Sequence, residues 1–245
     1  MILCWSAKGG SGTTVVAATL ALSLAERVDS PPAIRRSARH RHGAPLRSLS
    51  LPASTATPNP RQAWPHLIDL AGDVPMALGL PVDDGPGIYD WMASAVGTVD
   101  SLAALARQAG QRLRIVPAGN RAAAPDWERL AAAVGSSPVV IDCGTGAPPA
   151  ALVSAARQSL LVTRACYMGL MRAIPLAAQA TGVVLVREPG RHLGLDDIER
   201  SLGVPVVATI EFDPAIARCV DAGLALSRLP RSLKHLLPQA FDRAG

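Results

Sequence analysis

Residues 8–14 read Lys8-Gly9-Gly10-Ser11-Gly12-Thr13-Thr14, and the segments on either side narrow what the chain can fold into. Ahead of them Met1 to Trp5 is apolar, with the composition of a buried strand; after them Thr14 to Val28 repeats Ala, Val and Leu at helical spacing. A strand that passes through a glycine loop into a helix aims backbone N–H groups and the helix N-terminus at one point, where an anion can sit. Glycines let the main chain approach phosphate oxygens closely. Thr14 stands where a P-loop hydroxyl would ligate Mg²⁺. The dinucleotide fingerprint fits less well. Val15 occupies the place of its third Gly or Ala, and no acid follows at the end of a second strand about twenty residues on.

The same rhythm continues down the chain. Strands are expected at 113–117, 138–142, 159–163, 182–186 and 205–210, and helices at 99–109, 125–135, 148–156, 168–179, 195–202 and 214–226. This alternation predicts an α/β fold, a doubly wound and mostly parallel sheet of about seven strands with helices on both faces. Composition agrees: 49% of residues are hydrophobic but only 3% aromatic, so the core must be built from Ala, Val, Leu and Ile. The length of 245 residues suits a single domain, 1–245. Ligands of such sheets gather at the carboxyl ends of the strands.

Residues 30–66 break the rhythm. They are rich in Pro, Ser, Arg and His and show no periodicity, a composition that buries too little surface to offset chain entropy. They read as a disordered insert, or as a misjoined or frame-shifted stretch, because patterning resumes at Leu67-Ile68-Asp69. Residues 29–66 hold six arginines and one acid, so the net charge of +5 comes from this segment and the rest is balanced. A basic excess confined in this way does not favour nucleic acid as a partner.

The four cysteines (Cys4, Cys143, Cys166, Cys219) have neither metal-ligand nor redox spacing and read as buried reduced thiols. No Ser/His/Asp or Cys/His arrangement is apparent. The first residues run straight into a strand, and no apolar run is long enough to span a bilayer. The expected compartment is the cytoplasm.

Lys-Gly-Gly-x-Gly-x-Thr after an N-terminal strand resembles the deviant Walker A motif of the ParA/MinD family of P-loop proteins. In that family an early signature lysine reaches across a dimer to the partner's nucleotide; Lys8 matches it. A second lysine precedes the Mg²⁺-ligating hydroxyl; that place is Thr13 here. The Gly-Thr-Thr form resembles the atypical CpaE/TadZ branch, whose members position pilus machinery. The resemblance implies that Lys8, Gly9, Gly10, Ser11, Gly12, Thr13 and Thr14 bind nucleotide, with ATP and Mg²⁺ as cofactors.

Further motifs follow from it. Val139-Val140-Ile141-Asp142-Cys143-Gly144-Thr145-Gly146 resembles Walker B, with Asp142 joining Thr14 at the metal and serving catalysis. Leu67-Ile68-Asp69-Leu70-Ala71-Gly72-Asp73 resembles the family's second strand. The family carries Asp-x-Asp there, the second acid orienting the attacking water; Ala71 takes that second place, flanked by Asp69, the catalytic candidate, and Asp73, which reads equally as a helix N-cap. Asp213-Pro214 resembles the segment lying against the base. The family's base-reading Asn is replaced by Arg187-Glu188-Pro189-Gly190-Arg191. Arg164 reads first as a solvated arginine before a helix.

The implied protein is a nucleotide-dependent homodimer that acts as a switch or scaffold for a protein partner, such as a pilus or secretion ATPase or a polar-localisation factor. Hydrolysis is expected to be slow or absent. An active ParA-like ATPase for DNA partition or division-site selection is the alternative. The tail from Arg228 to Phe241 carries an apolar stripe that suits a terminal helix packed on the sheet, with a peripheral place at the inner face of the membrane the less favoured reading.

Overall fold

β1 (Ile2–Ser6) has no solvent-facing position: all five residues are buried. A strand of this kind needs cover on both faces. Its alternate side chains divide accordingly, Ile2 and Cys4 into one apolar cluster and Leu3 and Trp5 into the other. The first cluster is closed by α1 (Thr13–Asp29), whose Ala17, Ala18, Ala21 and Ala25 are buried and let the helix lie close on the sheet. This computed structural model describes residues 1–29, 66–82, 84–120, 124–135 and 137–228. The expected insert up to residue 65 and the expected tail helix beyond Arg228 lie outside the described residues.

The remaining strands are β2 (Leu67–Asp69), β3 (Arg107–Ala109), β4 (Leu113–Val116), β5 (Val140–Thr145), β6 (Gln158–Arg164), β7 (Gly182–Arg187) and β8 (Val206–Glu211). They form one eight-stranded sheet in the order β3-β4-β2-β5-β1-β6-β7-β8. Every neighbouring pair is parallel except β3 with β4. The chain leaves β1 for β2 beyond β5, whereas β6, β7 and β8 build outward on the other side. That reversal opens a crevice at the carboxyl end of β1.

The expected fold class is therefore the one observed, with one strand more than anticipated. The extra strand is β3, in a region read as helix to residue 109. The helix there, α4 (Val99–Ala104), stops early; α2 (Val74–Leu78) and α3 (Ile88–Ala93) precede it. Gly110 at φ 66 then turns the chain back, pairing Arg107 with Ile115 and Ala109 with Leu113. Arg107, Gln108 and Ala109 have no strand signature of their own, and the register with β4 makes them one.

Two other expected helices are divided. After α5 (Trp127–Val134) and α6 (Ala150–Ala155), α7 (Tyr167–Ala173) gives way to a 3₁₀ turn, Ile174–Gln179, with Pro175 at its start. Proline has no N–H to continue the α pattern. Following α8 (Leu195–Leu202), the segment read as 214–226 becomes α9 (Pro214–Asp221) and α10 (Ala225–Arg228), separated at Gly223 with φ 66. Gly79 lets this turn approach α2: a Cβ there would stand 2.0 Å from the Gly223 carbonyl oxygen. His66, read with the insert, instead belongs to the sheet. It is 4% exposed, donates its N–H to Arg114 O and accepts Val140 N–H at its own carbonyl. Of the cysteines only Cys4 is buried; the other three free thiols are half-buried.

Candidate functional site

The loop from Lys8 to Thr14 crosses the carboxyl end of β1. Gly10 and Gly12 have φ 77 and 89, values side-chain-bearing residues rarely adopt, and a Cβ on either would meet no atom within 4 Å. Their backbone thus faces open space, the cradle that phosphate oxygens require. Ser11 Oγ donates to Lys8 O at 2.7 Å and ties the loop across its base. The first helical bond of α1 runs from Val16 N to Gly12 O at 3.0 Å. The amides of Thr13, Thr14 and Val15 lie ahead of it, without intrahelical acceptors, and carry the positive end of the helix dipole. Lys8 is half-buried, whereas Thr13, in the place of the family's second lysine, is 7% exposed.

β5 runs beside this loop. Asp142 is fully buried, and its Oδ1 accepts Gly144 N–H at 3.1 Å. Burial pushes its carboxyl up to about 6, against a hydrogen bond from the Thr14 hydroxyl that pulls it down, with the charge of Asp69 adding to the rise. Oδ2 is buried with no hydrogen-bond partner. A buried anionic oxygen left so is costly unless a cation or its water meets it. Thr14 and Asp142 thus stand together at the mouth of the loop.

Asp69 is also fully buried, but its oxygens are taken up by its own loop. Oδ1 accepts Gly72 N–H at 2.7 Å and Oδ2 accepts Val74 N–H at 3.0 Å. Desolvation raises its carboxyl, opposed by these backbone donors. This carboxylate caps α2, although Asp73 occupies the N-cap position; Asp73 makes no side-chain cap bond and is exposed. A cavity of about 580 Å³ lies between the loops, lined among others by Gly12, Thr14, Ala71, Asp73, Tyr89 and Gly144. Tyr89, which sequence reading passed over, reaches it by donating its hydroxyl to Leu70 O at 3.1 Å.

A second pocket of about 250 Å³ adjoins the first along Gly12 and Val15. Its walls include Val186, Ile210, Phe212 and Ile216, an apolar slot that suits a flat ring. Asp213 is at its rim, but its Oδ1 is occupied by Ala215 N–H at 2.8 Å as the cap of α9; Pro214 opens that helix. Arg164 is not a solvated arginine. It lies 5.5 Å from the Phe212 ring, and its Nη1 meets Glu188 Oε1 at 2.5 Å. Arg191 holds the same carboxylate at 2.6 Å, and the two guanidiniums keep Glu188 below the usual carboxylate range. Glu188 belongs to the segment that replaces the expected Asn, and nothing in the spacing of these residues marked the pairing.

A ParA family ATPase from Chlorobium tepidum superposes with a TM-score of 0.66 at 17% identity, over 99% of this chain and 97% of that one. The fold is that of the ParA/MinD ATPases. The cell division ATPase MinD of Pyrococcus furiosus gives 0.65 at 17% identity, covering 98% and 96% of the two chains. The MinC:MinD complex of Aquifex aeolicus gives 0.64 at 16%, covering 99% and 94%. No protein-family model and no curated relative matches the sequence. Among the described residues no helix is long and apolar enough to cross a membrane.

Proposed function

We propose that this chain is a ParA/MinD-like ATP-binding protein of the CpaE/TadZ type, a nucleotide-dependent dimerising switch or scaffold that positions other proteins, pilus or secretion machinery among them. It works as one P-loop domain interrupted by 30–65, and it hydrolyses ATP slowly at most. The observation that carries the reading is the orphaned Asp142 Oδ2 beside Thr14, under a loop whose two positive-φ glycines face open space. Oxygen donors of this kind suit Mg²⁺, which keeps several waters and is held by few protein ligands. When bound, Mg²⁺ would neutralise charge on the β- and γ-phosphates.

Each residue then has a task. Gly9 to Thr14 hold phosphates through backbone N–H groups. Thr14 and Asp142 hold Mg²⁺ directly or through water. The slot beside Phe212, with Asp213 and Pro214 at its edge, takes the base. Lys8 reaches to the nucleotide of a second copy. Thr13 brings no charge to the β/γ-phosphates and Ala71 no carboxylate to the water, which is the physical reason for slow turnover. Titration of ATP and ADP with Mg²⁺, with light scattering in parallel, tests the reading. Dimers that form with ATP and not with ADP are expected; a monomer indifferent to both would overturn it.

A further inference from the structure

The loss of the water-orienting acid at Ala71 leaves the cleft with one carboxylate that has no other task. Asp142 is buried and bonded to Gly144 and Thr14, and Asp69 has both oxygens on its own loop. Asp73 differs. It sits at the N-cap of α2, where an Asp side chain ordinarily accepts a backbone N–H of the first turn. Asp73 makes no cap bond: the second residue of the helix is Pro75, which has no N–H to offer, and the Val74 N–H goes to Asp69 Oδ2. Its exposed side chain lines the same cavity as Gly12, Thr14 and Gly144. Proximity shows electrostatically as well: the charge of Asp73 raises the carboxyl of Asp142.

Ala71 lines this cavity too. A Cβ on Gly144 would stand 3.0 Å from the Ala71 methyl, so Ala71 faces the carboxyl end of β5. We propose that Asp73, which makes no cap bond, holds the attacking water in place of an acid at Ala71. The inference rests on the nucleotide reading above. In the step concerned, the water oxygen forms a bond to the γ-phosphorus as the bond from that phosphorus to the β–γ bridging oxygen breaks. ADP and inorganic phosphate leave; one water proton stays on the phosphate and the other passes to solvent. Asp73 accepts a hydrogen bond from the water and so sets its line of attack. Because phosphoryl transfer depends mainly on positioning and charge, an acid displaced by two residues supports slow rather than fast turnover.

The test compares wild type, Asp73→Asn and Asp73→Glu. ATP affinity is measured first by calorimetry, then single-turnover hydrolysis, then the lifetime of the ATP-bound dimer by light scattering. Asp73→Asn should lower hydrolysis by about tenfold or more with affinity unchanged within about twofold, and should lengthen the dimer lifetime in proportion. Asp73→Glu should recover part of the rate. Three outcomes would overturn the proposal: hydrolysis in Asp73→Asn equal to wild type, parallel loss of affinity in both variants, or no turnover at all in a wild type that binds ATP. A wild type that binds no nucleotide would remove the underlying reading as well, and the first measurement separates that failure from the others.

Discussion

Gly144 donates its N–H to Oδ1 of Asp142 at 3.1 Å, where the register of β5 against β1 shifts, and Oδ2 is left without a partner. The folded state raises Asp142 from 3.8 to about 6. A raised carboxyl binds its proton more tightly in the folded than in the unfolded chain, so its contribution to stability falls as pH rises between those values. Without nucleotide, Asp142→Asn should therefore be more stable than wild type at pH 7, by about 1–3 kcal/mol, with the difference vanishing near pH 4. Paired thermal melts across that range check it. The same variant should lose Mg²⁺-dependent ATP binding, and wild-type binding should weaken as pH drops through about 6.

Gly12→Val should abolish ATP binding. The residue holds φ 89, and its Cβ would enter space now empty of protein atoms. Calorimetry reads the result; affinity equal to wild type would remove this loop from the phosphate site.

Lys8→Ala should leave the fold intact, since a change at a half-buried charge on a loop shifts stability by about 0.5 kcal/mol or less. ATP-dependent dimerisation should weaken, because a charge-assisted phosphate contact is lost. Light scattering with and without ATP decides, and equal dimerisation in both proteins would count against a trans role.

Thr13→Lys should raise ATP turnover by about tenfold or more, by returning a cation to the phosphates. Phosphate release measured beside wild type checks it. An unchanged rate would shift the cause of slow hydrolysis to Ala71 alone.

Ser159→Ala should destabilise the protein by about 1–3 kcal/mol. Trp5 is fully buried on β1, and its indole N–H donates to Ser159 Oγ at 2.9 Å, so truncation leaves a buried donor unpaired. Denaturant melts measure the cost, and nucleotide affinity should follow only through the folded fraction.

Much of this molecule could be read from its residues in order. The glycine loop, the apolar run that ends in Asp142 and the alternation of strands with helices are local patterns, and period and turn chemistry operate over a few residues. They gave the fold class, and they marked the glycine turn after β1 and the apolar strand that ends near Asp142. Tertiary structure alone decided the rest. Arg107–Ala109 became a strand because β4 lies beside it, and His66 became buried because Arg114 and Val140 take its backbone groups. The division of labour between Asp69 and Asp73 follows from Asp69 reaching the Gly72 and Val74 N–H groups while Pro75 offers Asp73 no N–H to cap, and the Arg164–Glu188 pair joins two strand ends 24 residues apart. Sequence spacing states which residue types are present; hydrogen-bond partners are set by distances across the sheet, which only the packed chain defines.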